Sequence, residues 1–382
     1  MFIVVIGIAS AHSEDGNPFD AWVDQLNHSS FHARQAASQS LVSAASDSGA
    51  KRSDVVKALH DGLAHKSLEV RLACQETLGR IECHELDRRI AILTNPRASV
   101  SEINLPGWSS FSKLAGTDML ARQWFATSLD IYPSVLKRIE SSHGGLHDKH
   151  LADFAEHFDP YRMSAADTKR WTMLIWLDTH LSHPLRTRST SRSSRISMAL
   201  TNSAMGPSTD ERGSEVLRRM IAQWVRSQAG QAVSREWLLI ATRYRCERLA
   251  AELCDQVFRD QSSPPATIVT ALLSASAQGR SDLELQASQY LHDQRTSHVW
   301  QTVAPQKAKI RTQIRDVAMV VLLHNRGFDP RDTGFEELTA DPVFVFRDHS
   351  LGFQNEAQRE AAIKKSLQAL QPAHPSPARP TQ

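Results

Sequence analysis

FHARQAASQSL (31–41) and LEVRLACQETL (68–78) align without a gap, 37 residues apart. Each spaces small or apolar residues three and four apart, which puts them on one stripe of a helix half-buried against another helix. In the second copy the stripe is Val70, Ala73, Cys74, Thr77, Leu78 and Ile81. Arg34 and Arg71 occupy the same position of the two copies. MLARQWFATSL (119–129) repeats the pattern with Arg122, and TQIRDVAMVVL (312–322) repeats it with Arg315 and a terminal Leu322. Helices recurring at a period of roughly 20–50 residues mark stacked helical units, because one unit cannot bury both of its faces alone. The expected fold class is therefore all-α, an α-α superhelix of solenoid type.

Working outward, AWVDQL (21–26) supplies a short helix before the first copy. Ser53 is placed to cap a helix carrying Val55, Val56, Leu59 and Leu63. Pro106-Gly107 breaks the pattern, and Trp108, Phe111 and Leu114 then share a helical side. Ser164 with Asp167 makes a capping box for a helix bearing Trp171, Leu174, Ile175 and Leu177. From Ser214 the helices resume, with a stripe through Trp224 and a long pattern over 235–258 capped by Ser234. Pro264-Pro265 starts the next helix, Gly279 closes it, and another runs from Asp282 to about His292. The organisation expected is repeats over 12–140, a histidine-containing helical segment over 141–181, a linker over 182–213 and repeats over 214–325. An irregular terminal cap over 326–370 hides the last apolar face, with VFVF (343–346) pairing as an edge strand or packing. Asn355 caps the final helix, and 371–382 is a proline-rich disordered tail.

Of 382 residues, 44 are Lys or Arg and 42 are Asp or Glu, so the net charge of +2 argues for neither a nucleic-acid nor a membrane-surface partner. MFIVVIGIASA (1–11) has an apolar run followed by Ala9-Ser10-Ala11, the small-x-small form of a cleavage site. Export to the envelope or beyond is expected, although a basic n-region is missing. No later segment is long enough to span a bilayer. Cys246 and Cys254 stand eight apart on a helical pattern, beyond disulfide reach. Cys74 and Cys83 could meet only if their helix ends at Gly79.

The best metal candidate is HGGLHDKHLADFAEH (143–157), where His147, His150 and Asp153 or His157 share a helical side. It lacks the Glu of an H-E-x-x-H site, and a solvated polar face accounts for it better. Arg186, Arg188, Arg192 and Arg195 have no aromatic residues between them, so a solvated linker carrying a short helix near 196–200 outweighs a phosphate-binding patch. The aligned arginines are expected to bind a carboxylate or loop carbonyls of a neighbouring unit. Trp124, Trp171, Trp224 and Trp237 fall within apolar stripes, whereas Trp108 and Trp300 border loops and are candidates to line a concave surface. No nucleophile elbow, phosphate loop or dinucleotide fingerprint occurs.

EVRLACQETLGRI (69–81) runs apolar residue, Arg, Ala, then Leu-Gly and an apolar residue, and FHARQAASQSLV (31–42) departs only in placing Val42 at the glycine. Both resemble the second helix of a HEAT repeat. WVDQL before SSFHARQAA, LPGW with a later LAG before LARQWF, REWLLIATRYR with SPP further on, and IRDVA followed by GFDPRDTGF are together similar to a group of exported bacterial HEAT-repeat proteins. The C-terminal loop departs at Arg326-Gly327-Phe328 and at Thr333. The resemblance implies a non-enzymatic superhelical scaffold that binds a protein or peptide, with no catalytic residue, cofactor or metal. The alternative is a metal-binding or accessory module of an envelope enzyme built on 143–157.

Overall fold

A computed structural model describes residues 17–47, 49–99, 101, 103–131, 168–181, 190–201, 211–228, 233–301 and 309–371. These are predominantly helical. The chain divides into two compact units, Met1–Leu105 and Pro106–Gln382, so the third arginine copy falls in a different unit from the first two.

The first unit holds α1 (Asp20–Gln25), α2 (Phe31–Asp47), α3 (Gly49–Gly62) and α4 (Leu68–Thr94). Val70, Cys74, Thr77 and Ile81 of α4 are buried, as the stripe requires, and meet Ala37, Leu41, Val42, Val55 and Leu59. Gly62 lets α3 and α4 approach: a Cβ there would lie 2.6 Å from the Cys74 sulfur and 2.9 Å from a Val23 methyl. The capping expected of Ser53 does not occur, because α3 begins at Gly49 and Ser53 lies inside it. Nor does a helix end at Gly79. The stripe carries on without a breaker, α4 is continuous past Cys83, and Cys74 and Cys83 are both free.

In the second unit α5 (Trp108–Ala115) and α6 (Met119–Ile131) precede α7 (Thr168–Leu181), α8 (Thr190–Thr201) and α9 (Glu211–Gln228). Phe125 sits among Trp108, Phe111 and Trp176 at ring separations of 5.4, 5.0 and 6.2 Å. The bulk of the third copy is thus absorbed by an aromatic cluster. The stretch expected as linker contains the whole of α8, with Ile196, Ala199 and Leu200 buried.

The pattern over 235–258 is two helices, not one: α10 (Arg235–Arg243) and α11 (Glu247–Arg259). Next come α12 (Pro265–Ala277), which starts at Pro265 as expected, and α13 (Leu283–Ser288), shorter than expected. Every residue of α12 from Thr267 to Ser276 is buried. It packs against α10 and α11 before it and α13 and α14 after it. A helix apolar all round belongs at the centre of its unit.

An antiparallel hairpin the helical periodicity does not anticipate follows, β1 (Thr296–Gln301) with β2 (Lys309–Gln313). It leads directly into α14 (Ile314–Asn325). The terminal segment contains two 3₁₀ turns, a two-residue ladder of β3 (Ala340–Asp341) with β4 (Val345–Phe346), and α15 (Glu356–Leu370). VFVF therefore pairs through its last two residues. Asn355 caps α15 by accepting the Gln358 amide at 3.0 Å.

α15 is fixed to α14 by a buried ion pair. Arg359 donates to Asp316 at 2.9 and 3.1 Å and to the Arg311 carbonyl at 2.8 Å, and both side chains are almost wholly buried. Burial pushes the Asp316 carboxyl up to about 6, against the opposing pull of the Gln313 amide and Arg359.

Candidate functional site

The aligned arginines resolve into two kinds. Arg34 donates to the carbonyls of His28 and Ser29 at 2.6 and 3.1 Å. Arg71 donates to those of His65 and Lys66 at 2.8 and 3.1 Å. The match extends upstream, for His28 and His65 each accept, at Nδ1, the amide of the serine two residues on, at 3.0 and 3.1 Å. Arg122 donates to the Thr117 carbonyl at 3.0 Å. These carbonyls belong to the loop just before the arginine's own helix and lie outside its i→i−4 ladder, so the guanidinium is what satisfies them. Arg315 differs. It bonds Gln313 Oε1 at 2.6 Å and Glu356, because a strand and not a loop feeds α14.

A cleft of about 1280 Å³ opens in the second unit, between the ends of α10 and α12 and the loop of 341–349. Six arginines line it: Arg235, Arg243, Arg245, Arg248, Arg280 and Arg347. Glu247, Asp341 and Asp348 are the acids of its lining, so positive charge is in excess. The apolar part includes Leu239, Leu273, Pro342, Val343 and Phe344.

Four of the arginines are committed to the fold. Arg235 ties α10 to Asp348 at 2.6 Å and to Thr270 at 3.3 Å. Arg243 donates at 2.6 Å to the Thr201 carbonyl at the end of α8. Arg248 pairs with Glu252 at 3.0 Å. Arg280 binds Asp255 and Asp282 at 2.6 and 2.7 Å, which hold its own pKa above the ordinary value and lower that of Asp282. The side chains of Arg245 and Arg347 are exposed and have no ion-pair or hydrogen-bond partner among the described residues.

Arg245 is also where the expected long helix breaks. The Cys246 amide reaches back to the Ala241 carbonyl at 2.8 Å and that of Arg245 to Thr242 at 3.1 Å, a Schellman closure with Arg245 at φ 53°. That left-handed position favours glycine, and α12 ends the same way with Gly279 there, at φ 60°. One further non-glycine residue among those described has positive φ: Val345, at 66°, between two residues lining the cleft. Asp341 braces this loop by accepting the amides of Val343 and Phe344 at 2.8 and 3.0 Å.

Burial raises the Tyr244 hydroxyl and the Cys246 thiol beside the cleft to about 12, and Cys254 to about 11, so none is an anionic nucleophile at neutral pH. His349 turns its ring edge-on to Trp300, at 5.7 Å, and thus brings Trp300 beside the cleft. Trp108 lines no surface, since it is buried against Phe111 and Phe125.

The histidines of 143–157 lie outside the described residues, as do Arg186 and Arg188 and the leader-like 1–11. Among the described residues no group of three or more His, Cys, Asp or Glu is placed to hold a metal, and no helix is long and apolar enough to cross a membrane. Helical spacing did not single out Arg245 or Arg347. The signal for Arg245 was its place two residues after Arg243, a spacing at which a continuous helix points two cations different ways. Compared with known proteins, the chain matches no family model, no curated protein and no solved structure.

Proposed function

We propose that the protein is a non-enzymatic scaffold of HEAT-repeat type that binds a protein or peptide partner, working in the cell envelope or outside the cell. The repeated loop-arginine device and the packing of most helices on others near them in sequence, α5 and α6 on the distant α9 apart, support the stacked-unit reading. The observation that carries binding is the cleft of the second unit, larger than the roughly 300–1,000 Å³ of small-molecule pockets and walled by both apolar and cationic side chains. A lining that mixes apolar and charged side chains suits an extended peptide, whose side chains need both kinds of contact.

Selection of random peptides displayed on phage against the full chain tests this, with Phe344→Asp as the comparison. Peptides enriched on the native chain and lost on the variant support the cleft as the seat. Equal enrichment on both, or none on either, overturns it.

A further inference from the structure

We propose that the occupant of the cleft is an acidic peptide segment, its carboxylates taken by Arg245 and Arg347 and its apolar side chains laid on Val343 and Phe344. This rests on the reading of the chain as a peptide-binding scaffold and supplies the chemistry of the partner.

The charge has to be explained first. Exposed guanidinium groups gathered on the wall of a concavity keep their hydration and leave their donors open to a partner. Four of the cleft arginines are engaged within the fold by Asp348, Glu252, Asp255, Asp282 and helix-end carbonyls. Arg245 and Arg347 are not. They are five-donor forks in search of planar acceptors, and a carboxylate answers them in bidentate geometry.

Backbone conformation points the same way. Among the described residues the two non-glycine positions of positive φ are Arg245, which lines this cleft, and Val345, which lies between the lining residues Phe344 and Phe346. Each such position costs on the order of 1–3 kcal/mol, and residues held so cluster at ligand clamps. At Arg245 the cost stands out because α12 closes in the same manner with Gly279. Fold stability alone would place glycine at 245 as well. Val345, β-branched and therefore worse suited to positive φ, sits two residues before Arg347 on the same loop.

The lining also discriminates between anionic partners. A single-stranded nucleic acid calls for aromatic platforms interleaved with the cations, but Phe346 is buried, and the loop's cleft side offers Phe344 and the His349 ring, both on one wall. Acidic side chains in the lining, Glu247 and Asp341, would repel a continuous phosphate backbone more than a peptide with spaced carboxylates. Peptide chemistry fits the mixture better.

Fluorescence anisotropy on the full chain tests the assignment with three labelled peptides, in which Leu alternates with Glu, Gln or Lys, and with a single-stranded oligonucleotide. The expected result is tightest binding of the Glu peptide, weakened by salt and weakened about tenfold or more in R245G combined with R347S. Since R245G puts glycine where the backbone favours it, that loss will not reflect unfolding, and the melting temperature recorded alongside verifies this. Tighter binding of the oligonucleotide, or unchanged affinity for the Glu peptide in the double variant, overturns the proposal. If Glu and Gln peptides bind alike and both are lost on Phe344→Asp, the acidic preference falls while the cleft stands as a peptide seat. Peptide binding that responds to no cleft substitution removes both.

Discussion

The two units differ in how far their arginines are spent on the fold. In the first, Arg34 and Arg71 are turned back onto the loops that precede their helices, and Arg52, Arg88 and Arg89 converge on Glu85 at 2.6–2.9 Å. Each of these cations has a partner in the fold. In the second unit the cleft holds two arginines with none among the described residues, one of them at a backbone position better suited to glycine. The same residue type is therefore framework in one region and, in the proposed reading, also recognition in the other. What separates the roles is the acceptor the fold provides, since all carry the same charge.

The largest expected effect comes from a cation that serves as framework in the second unit. Arg359→Ala strands Asp316 in the interior and should cost about 3–5 kcal/mol. Urea unfolding of the full chain measures it, and a loss below about 1 kcal/mol would mean that the pair is not a fixed joint. Next is the close approach in the first unit. Gly62→Ala sets a methyl against the Cys74 sulfur and should destabilise by about 1–3 kcal/mol, helix propensity notwithstanding. Combined with Cys74→Ala the penalty should shrink, because the sulfur is the nearer of the two atoms the methyl meets, the other being a Val23 methyl; strict additivity of the two would place the strain at Val23 or elsewhere.

A smaller effect is set by pH. Hydrogen bonds from Arg88, then Arg89, and the charge of Arg52 hold Glu85 at about 2, against an ordinary 4.5. A carboxylate depressed in the fold stabilises fully above its unfolded pKa, and that contribution disappears as pH falls from about 4.5 through about 2. Amide exchange in α3 and α4 should accelerate across that window in the native chain and far less in Glu85→Gln. Identical profiles would show that Glu85 is not what holds the helices together in acid.

The repeat at 31–41 and 68–78 was legible because stripe and arginine recur at one offset, and its consequences are visible down to His28 and His65, which periodicity could not select. Helical character, the starts at Ser234, Pro265 and Asn355, and the burial of most tryptophans follow from caps and apolar spacing that act locally. The break at 244–246 was not legible. Its αL residue is an arginine, which reads as an ordinary helix former. The antiparallel pair of 296–301 with 309–313 escaped for a related reason, since its strands alternate weakly in sequence and β2 runs straight into α14. The cleft joins residues about a hundred positions apart, from Arg235 to His349, and no local pattern announces such a meeting.

The division between framework and recognition arginines is tested most directly by scanning calorimetry of Arg71→Ala beside Arg245→Gly. Arg71→Ala removes two charge-assisted bonds to loop carbonyls and should lower stability by about 1 kcal/mol. Arg245→Gly relieves a left-handed arginine and should raise it by about the same amount. Melting temperatures that move in opposite directions are the predicted result. If both fall together, Arg245 is framework like the rest, and the paired-cation account of the cleft fails.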